Sequence, residues 1–380
     1  MNNVYLDYGA TTPVDKRALE SMQSFFRDHY GNASSIHSFG RDAKNALERA
    51  RERIAQMIRS MPDEIYFTCG GTEADNWALK GYAYANKDKG RHIVTSVVEH
   101  HAILHTCHVL EEEGFEITYL PVDGDGIIDP DDLKNVLRKE TLLVSLMHVN
   151  NETGVINDIG ALGRIIREHG AVFHTDAVQS FGKLPIDVNR MNVDLLSVSS
   201  HKLYGPKGAG SLYIRDGLKM SSLLVGGSHE HGGRAGTENI PAIVGFGAAA
   251  HLCRKNMGKE QEAQKKLRDH FWDRISNEIG DCRMNGHHEL RTANNLNVSF
   301  VGADGESILL SLDLRGIAAS AGSACTAGGI ELSHVIKALD LPPEYKDSAI
   351  RFTLGRYTTR SEIDYTVDVL KEIVERIRSL

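Results

Sequence analysis

The sequence is poor in cysteine, and its cysteines are badly placed for cross-linking. Five stand at positions 69, 107, 253, 282 and 325; none forms a CxxC pair, and the number is odd. This argues against a disulfide framework and against a cysteine-rich structural zinc site, and leaves at least one free thiol. No apolar run approaches the ~20 residues that span a bilayer. The opening MNNVYLDYGA has no basic stretch leading into an apolar one, so it does not read as a secretory signal. A cytoplasmic protein with no membrane partner is the expectation. Positive charge is not in excess either: 51 acidic residues face 43 basic ones, a formal net charge of −8. The chain therefore lacks the electrostatic footprint of a nucleic-acid binder. Internal repeats, low-complexity tracts and Pro-rich linkers are also missing. The composition that remains, 41% hydrophobic and 25% charged, excludes a fibre or a disordered chain. At roughly 100–200 residues per domain, 380 residues imply two domains.

Short β-rich runs alternate with helical patterns over the first two thirds. Strands are predicted at 64–69, 92–98, 116–121, 142–148, 171–175, 194–199 and 210–214. Helices are predicted at 43–58, 73–84, 103–113, 130–139 and 159–169. This alternation implies βαβ units and a mainly parallel sheet. Continuous apolar runs such as LLVSLMHV suit a sheet covered on both faces. After about Pro241 the pattern changes to a long helix over 243–274, strands at 295–300 and 317–320, a helix at 333–339, a strand at 350–354 and a terminal helix at 361–379. A large α/β domain followed by a smaller α+β domain is the predicted architecture.

Ligands of open α/β sheets bind beyond the carboxyl ends of the strands, so the residues after each strand carry the chemistry. The first strand runs into Gly70-Gly71-Thr72-Glu73 and a helix start, a combination that suits a phosphate. The strand AVFHT ends in Asp176, a carboxylate that needs a cation or donor if it is buried. The strand DLLSVS ends in Ser199-Ser200-His201-Lys202, and a lysine in a partly apolar site can form Schiff bases. Singly, each has a plainer explanation: Thr72 and Asp176 as helix caps, Lys202 as an exposed turn residue. Together they supply a phosphate cradle, an acid for a pyridinium nitrogen and a Schiff-base lysine, the parts needed for pyridoxal 5'-phosphate.

With GGTEADN, VEHHAIL, MHVNNETG, HTDAVQS, SSHKLYGPKG, RAGTEN, SAGSACTA and IRFTLGR in this order, the chain resembles the cysteine desulfurases, fold type I pyridoxal phosphate enzymes. The resemblance runs from LDYGATTPV to the last helix. It implies an α/β fold with a mainly parallel seven-stranded sheet, a large domain over 16–258 and a small domain formed by 1–15 with 259–380. It also implies a homodimer with active sites near the subunit interface. By the same resemblance Lys202 matches the Schiff-base lysine, Asp176 the acid on the pyridine nitrogen, and Gln179 the donor to the phenolic oxygen. His100 matches the imidazole that stacks on the ring and moves protons. Gly71, Thr72, Ser199 and His201 match the phosphate cradle, and Thr237 a phosphate donor supplied across the subunit interface. Asn151 and Arg351 match groups that orient the substrate carboxylate, with Asn32 beside them; arginine suits that task because its planar fork meets a carboxylate bidentately.

Cys325 sits among Ala321-Gly322-Ser323-Ala324 and Thr326-Ala327-Gly328-Gly329, small residues that build little core and favour a movable loop. With the resemblance, it matches the thiol that takes sulfur from the substrate. The implied reaction turns L-cysteine into L-alanine and leaves the sulfur on Cys325 as a persulfide. A protein sulfur acceptor for iron–sulfur clusters, thio-cofactors or tRNA is then the implied partner. On the residues alone two alternatives stay open: another fold type I enzyme, which gives Cys325 no task, and a silent sulfur carrier, which needs none of Lys202, Asp176 and His100. His101, His105 and His108 fall on one helical face, but an accidental cluster is favoured over a metal site. His229 and His231 are a departure, since the family more often has Gln and Arg there.

Overall fold

The computed structural model describes residues 3–321 and 332–379. A short strand β1 (Val4–Tyr5) is followed by seven that form the central sheet: β2 (Ile65–Thr68), β3 (His92–Ser96), β4 (Glu116–Leu120), β5 (Thr141–Ser145), β6 (Val172–Asp176), β7 (Leu195–Ser199) and β8 (Gly210–Ile214). Their order is β2-β8-β7-β6-β5-β3-β4. Strands β3 to β7 pair in parallel, while β8 runs antiparallel to both β7 and β2. Every residue of β3, β5, β6, β7 and β8 is buried, as their apolar runs predict for strands covered on both faces. The edge strand β4 is the most open.

The reversed direction of β8 shapes the site. Its first residue, Gly210, pairs with both Thr68 at the end of β2 and Ser199 at the end of β7. The loops leaving those two strands are thereby brought side by side. The approach is close: a Cβ on Gly210 would meet the Gly70 backbone at 2.7 Å. The helix predicted over 73–84 starts at Gly71 and passes through a single π turn, Trp77–Gly81, before ending at Asn86.

A three-stranded antiparallel sheet, β12-β10-β9, is built from β9 (Cys282–Met284), β10 (Asn295–Phe300) and β12 (Ala349–Thr353). The strand β11 (Ile317–Ala318) pairs in parallel with β1. These elements, with the helices Gly305–Leu314 and Arg360–Arg378, enclose a second hydrophobic core to which Val4 and Leu6 belong. The helix Gly305–Leu314 was not foreseen, because its apolar segment SILL carries no helical period. The helix Lys16–Arg27, capped by the Asp15 carboxylate, was not foreseen either.

One helix joins the two cores. Ile240–Glu278 is 39 residues long and carries Pro241 in its first turn, where no N–H partner is lost. Ile243, Phe246, Ala249 and Cys253 pack into the core under the central sheet, and Phe271 and Ile275 into the second core. Among the described residues no helix is long and apolar enough to cross a membrane.

Phe271 is fully buried and meets Phe352 edge to face at 5.0 Å between ring centroids. Phe271→Ala leaves a cavity and is expected to cost about 3–5 kcal/mol. Urea denaturation followed by far-ultraviolet circular dichroism checks this; an unchanged midpoint would contradict the assignment of Phe271 to a packed second core.

Candidate active site

The ends of β2, β6 and β7, the turn after β3, the turn after β5 and the strand β12 converge on one cavity of about 340 Å³. Gly71, Thr72, His100, Asn151, Asp176, Gln179, Ser199, His201, Lys202 and Arg351 all line it. Gly9, Ala10, Asp75, Met147 and Val178 complete the wall.

Lys202 leaves β7 in a short 3-10 turn, and its Nζ donates to the carbonyls of Gly9 at 2.6 Å and Ala10 at 2.7 Å. The turn is held by the N-terminal segment: the Tyr204 N–H donates to Thr12 Oγ1 at 2.8 Å, and Thr12 Oγ1 donates to the His201 carbonyl at 2.9 Å. Tyr204 has φ 65°, a strained value for a bulky side chain. The Arg356 guanidinium, 4.1 Å over its ring, helps hold it there.

Asp176 is buried at the end of β6, and its Oδ1 accepts from the Val178 N–H at 2.8 Å. Burial pushes its carboxyl above the usual range, while the Val178 N–H and the Lys202 charge pull it back. Behind it lies Asp75, buried, with Oδ1 making no hydrogen bond among the described residues. Burial and then the Asp176 charge hold Asp75 well above the ordinary carboxylate range. Glu99 is buried on the same side, and desolvation pushes it up to about 8 although Ser96 and the Met147 N–H both donate to it.

His100 caps the helix His101–Glu112, its Nδ1 accepting from the Ala102 N–H at 3.1 Å. Burial first, then the Lys202 charge, lower its pKa to about 4. The imidazole is thus neutral near pH 7, and with Nδ1 accepting, its proton sits on Nε2. His201 is lowered to about 4 for the same two reasons, and its Nδ1 lies 3.1 Å from Thr11 Oγ1.

Arg351 reaches the cavity from β12. Its Nη1 donates to the Asn151 carbonyl and its Nη2 to Asp7 Oδ1, each at 2.9 Å. Its Nε and the Asn151 Oδ1 are buried with no hydrogen-bond partner among the described residues, which is costly unless a polar group meets them. On the opposite side a Cβ on Gly71 would meet Val178 Cγ2 at 2.7 Å, so only glycine keeps that wall open.

Two predicted residues that the structure describes do not line this cavity. Asn32 is exposed, and its Oδ1 accepts from the Ser34 N–H in a local turn. Thr237 is exposed and lines a separate pocket of about 180 Å³ with Cys69 and Arg234. Cys325 lies outside the described residues. Of the predicted histidine face, His101 and His105 lie 4.9 Å apart, but the third ring is His334, 4.7 Å from His101. His108 instead faces Glu111 and Glu112 on the surface.

Sequence patterning also left several residues without a role. Asp7, Gly9 and Ala10 lie in LDYGATTPV, a quoted motif; two of them act through carbonyls, which leave no mark in a sequence. Asp75 and Lys183 follow the phosphate loop and the HTDAVQS motif. Glu230, between the two unexpected histidines, is buried in a bidentate ion pair with Arg51 at 2.8 and 2.9 Å and also accepts from the Phe67 N–H.

Residues 4–366 match the model of the class-V aminotransferase family. The chain is 52% identical over 377 residues to the cysteine desulfurase IscS of Dictyoglomus turgidum, covering 99% of this chain and 96% of that protein. It is 48% identical to the IscS of Methanosarcina thermophila, covering 99% and 93%. A NifS-like protein of known structure superposes with a TM-score of 0.93 at 36% identity, covering 99% of this chain and all of that one. SspA, solved in complex with cysteine, superposes with a TM-score of 0.84 at 38% identity, covering 94% of this chain and all of that one. With its lysine, buried carboxylate and arginine gathered at the strand ends of such a fold, the chain belongs to the class-V aminotransferases and, among them, to the cysteine desulfurases.

Proposed function

We propose that the cavity around Lys202 holds pyridoxal 5'-phosphate and is where L-cysteine gives up its sulfur to Cys325. The observation that carries this is that Lys202, Asp176, Gly71, Asn151 and Arg351 surround one volume, with Arg351 Nε and Asn151 Oδ1 lacking a hydrogen-bond partner among the described residues. The residues fit the cofactor. The volume of about 340 Å³ is within the usual range of ligand sites. The glycine wall leaves room, and a buried carboxylate with a raised pKa gains from a cationic partner.

Gly71, Thr72, Ser199 and His201 would hold the phosphate, Asp176 the protonated ring nitrogen, Gln179 the phenolic oxygen, and Lys202 the aldehyde carbon. When bound, the cofactor supplies an electron sink for charge left on the substrate's α-carbon. Arg351 and Asn151 orient the substrate carboxylate; the Asp7 carboxylate fixes the Arg351 fork in advance. Lys202 takes the α-proton. His100, neutral with its proton on Nε2, serves as a hydrogen-bond donor and not as the first base. The Cys325 thiolate then bonds to the substrate sulfur as the carbon–sulfur bond breaks; alanine leaves and the persulfide stays. Cys69, pushed up to about 11 by burial and Glu73, and Cys253, pushed up to about 12 by burial, are poor thiolates for this task.

We read the two hydrophobic cores as two domains, 16–258 and 1–15 with 259–380. Thr237 is exposed and outside this cavity, and we assign it to the phosphate of a second copy in a homodimer; Asn32 is exposed on the same terms. A protein thiol acceptor that feeds iron–sulfur cluster, thio-cofactor or tRNA synthesis takes the persulfide. A reducing compartment, the cytoplasm, suits that exchange.

Two outcomes follow. Lys202→Ala should lose alanine production and the visible absorbance of lysine-linked cofactor. In the cofactor-free form of that variant, His100 should titrate above its native value of about 4, because a neighbouring positive charge is gone. Histidine NMR reads the shift, and an unmoved His100 argues that the two side chains do not share a site. Cys325→Ser should still perturb the cofactor spectrum on adding cysteine, yet release no alanine. Mass spectrometry of the native enzyme after brief exposure to cysteine should place one extra sulfur on Cys325; sulfur on Cys69 or Cys107 with full activity in Cys325→Ser overturns the mechanism.

A further inference from the structure

Lys183 is a lysine that the reaction outlined above does not use. It follows β6 in the turn that begins at Asp176, and its side chain curls back four residues. Its Nζ donates to both the carbonyl and the Oε1 of Gln179, each at 3.0 Å. On the far side of the same amide, Gln179 Nε2 donates to the Gly9 carbonyl at 3.0 Å. These two neighbours leave the amide one orientation. An ammonium can only donate, so it must face Oε1; a carbonyl can only accept, so it must face Nε2. Of the two N–H bonds on Nε2, one is taken by Gly9 and the other remains for the cavity that Gln179 lines.

We infer that Lys183 is a positioning residue: it locks the Gln179 amide with its nitrogen toward the cofactor and, through its charge, strengthens that N–H as a donor to the cofactor's phenolic oxygen. The inference rests on the cofactor assignment above and deepens it.

The electrical setting supports a role beyond packing. Lys202, Arg351 and the Cys253 thiol face Lys183, and among the described residues it makes no ion pair; Glu260 stands across a cavity of about 30 Å³, the size of one or two waters. Burial and the Lys202 charge bring its pKa down to about 7. A side chain meant only to fill space would cost less as Met or Leu; an amine, charged below about pH 7 and neutral above it, is kept here in contact with one amide. Lys183 and Lys202 also meet through a shared acceptor. The Gly9 carbonyl takes the Lys202 Nζ at 2.6 Å and Gln179 Nε2 at 3.0 Å, so the amide that Lys183 fixes is next to the lysine proposed to carry the cofactor.

The sign of the effect is fixed. A stronger hydrogen-bond donor to the phenolic oxygen favours the deprotonated form of the lysine-bound chromophore, and Lys183 acts by strengthening that donor. Removing Lys183 should therefore raise the pH midpoint at which its visible band changes, by about one unit, tenfold in the proton equilibrium. The test is a pH titration of that band in the holoenzyme for Lys183→Met, Lys183→Arg, Gln179→Leu and the Lys183→Met/Gln179→Leu double variant. Lys183→Arg, which keeps a charged donor, should restore the native midpoint. The double variant should shift no further than Gln179→Leu alone, since Lys183 acts through that amide. If Lys183→Met does not fold, Lys183→Gln, a donor without charge, takes its place and should also shift the midpoint upward. An unmoved midpoint in the folded variant, or additive shifts in the double variant, overturns the proposal. Absence of any visible band in the native holoenzyme overturns instead the cofactor assignment on which it rests.

Discussion

Three basic side chains stand close together, Lys202 lining the large cavity with Arg351 and the small one with Lys183, and the segment 7–12 is what makes that tolerable. Like charges in a poorly hydrated site repel strongly, and without compensation their pKa values fall or the site expands. The N-terminal segment supplies the compensation from its backbone and one side chain. Gly9 and Ala10 give carbonyls to Lys202, Gly9 also anchors Gln179, and Asp7 gives its carboxylate to Arg351. The segment is itself stretched between the two cores: Leu6 packs in the second and Tyr8 in the first. Thr353 binds it from the second core, donating to the Leu6 carbonyl and accepting from the Gly9 N–H at 2.6 Å. The arrangement of the cations therefore depends on how the two cores sit against this one strand of chain.

The anionic side of the cavity is built on the opposite principle. Asp176, Asp75 and Glu99 are buried together, and each carboxyl is held above its ordinary range, first by desolvation. Three adjacent carboxylates cannot all ionise in such surroundings. The nearby histidines do not relieve them: His174, whose Nε2 is 3.8 Å from Asp75, is fully buried, bonded to the hydroxyls of Ser145 and Ser197, and lowered to about 3. Of the three, Asp176 is the one whose ionised form the Lys202 charge favours, so it is the member best placed to stay anionic. A cation brought against Asp176 would relieve the site further, which is the electrostatic reason the proposed cofactor's ring nitrogen is assigned to it.

Much of this was legible in the sequence for a definite reason. Strands buried on both faces must be continuously apolar, so the runs that became β3, β5, β6 and β7 stood out, and the polar residues ending them had to be functional or capped. Asp176, Ser199 and Lys202 were found in that way. The direction of β8 was not legible: GSLYI is apolar whichever way it runs, and only the pairing of Gly210 with both Thr68 and Ser199 reveals the reversal. The roles of Gly9 and Ala10 were hidden because a carbonyl belongs to every residue. Lys183 was hidden because a lysine four residues after a glutamine is commonplace; its meaning comes from burial. Asn32 and Thr237 had motifs to mark them, yet a single chain leaves both outside the cavity, so no periodicity could have placed them there.

The departure at His229 and His231 is best understood through the residue between them. Glu230 has φ 46° and His231 φ 56°, left-handed values that non-glycine residues hold only when the surroundings insist. The insistence comes from Glu230, whose carboxylate is gripped by Arg51 from two sides and by the Phe67 N–H of β2. Removing one partner of such a buried pair strands the other charge, which makes this anchor far more costly to alter than its neighbours. The side chains on either side are not so bound. His231 is exposed with its ring edge-on to Tyr66, and the His229 Nδ1 accepts from the Gly236 N–H at 3.3 Å. The loop that leads to Arg234 and Thr237 is therefore fixed at Glu230 and free to vary at the flanking positions. Two histidines in place of the Gln and Arg that the resemblance leads one to expect change the side chains that flank Glu230 and leave the path of the loop to Thr237 intact.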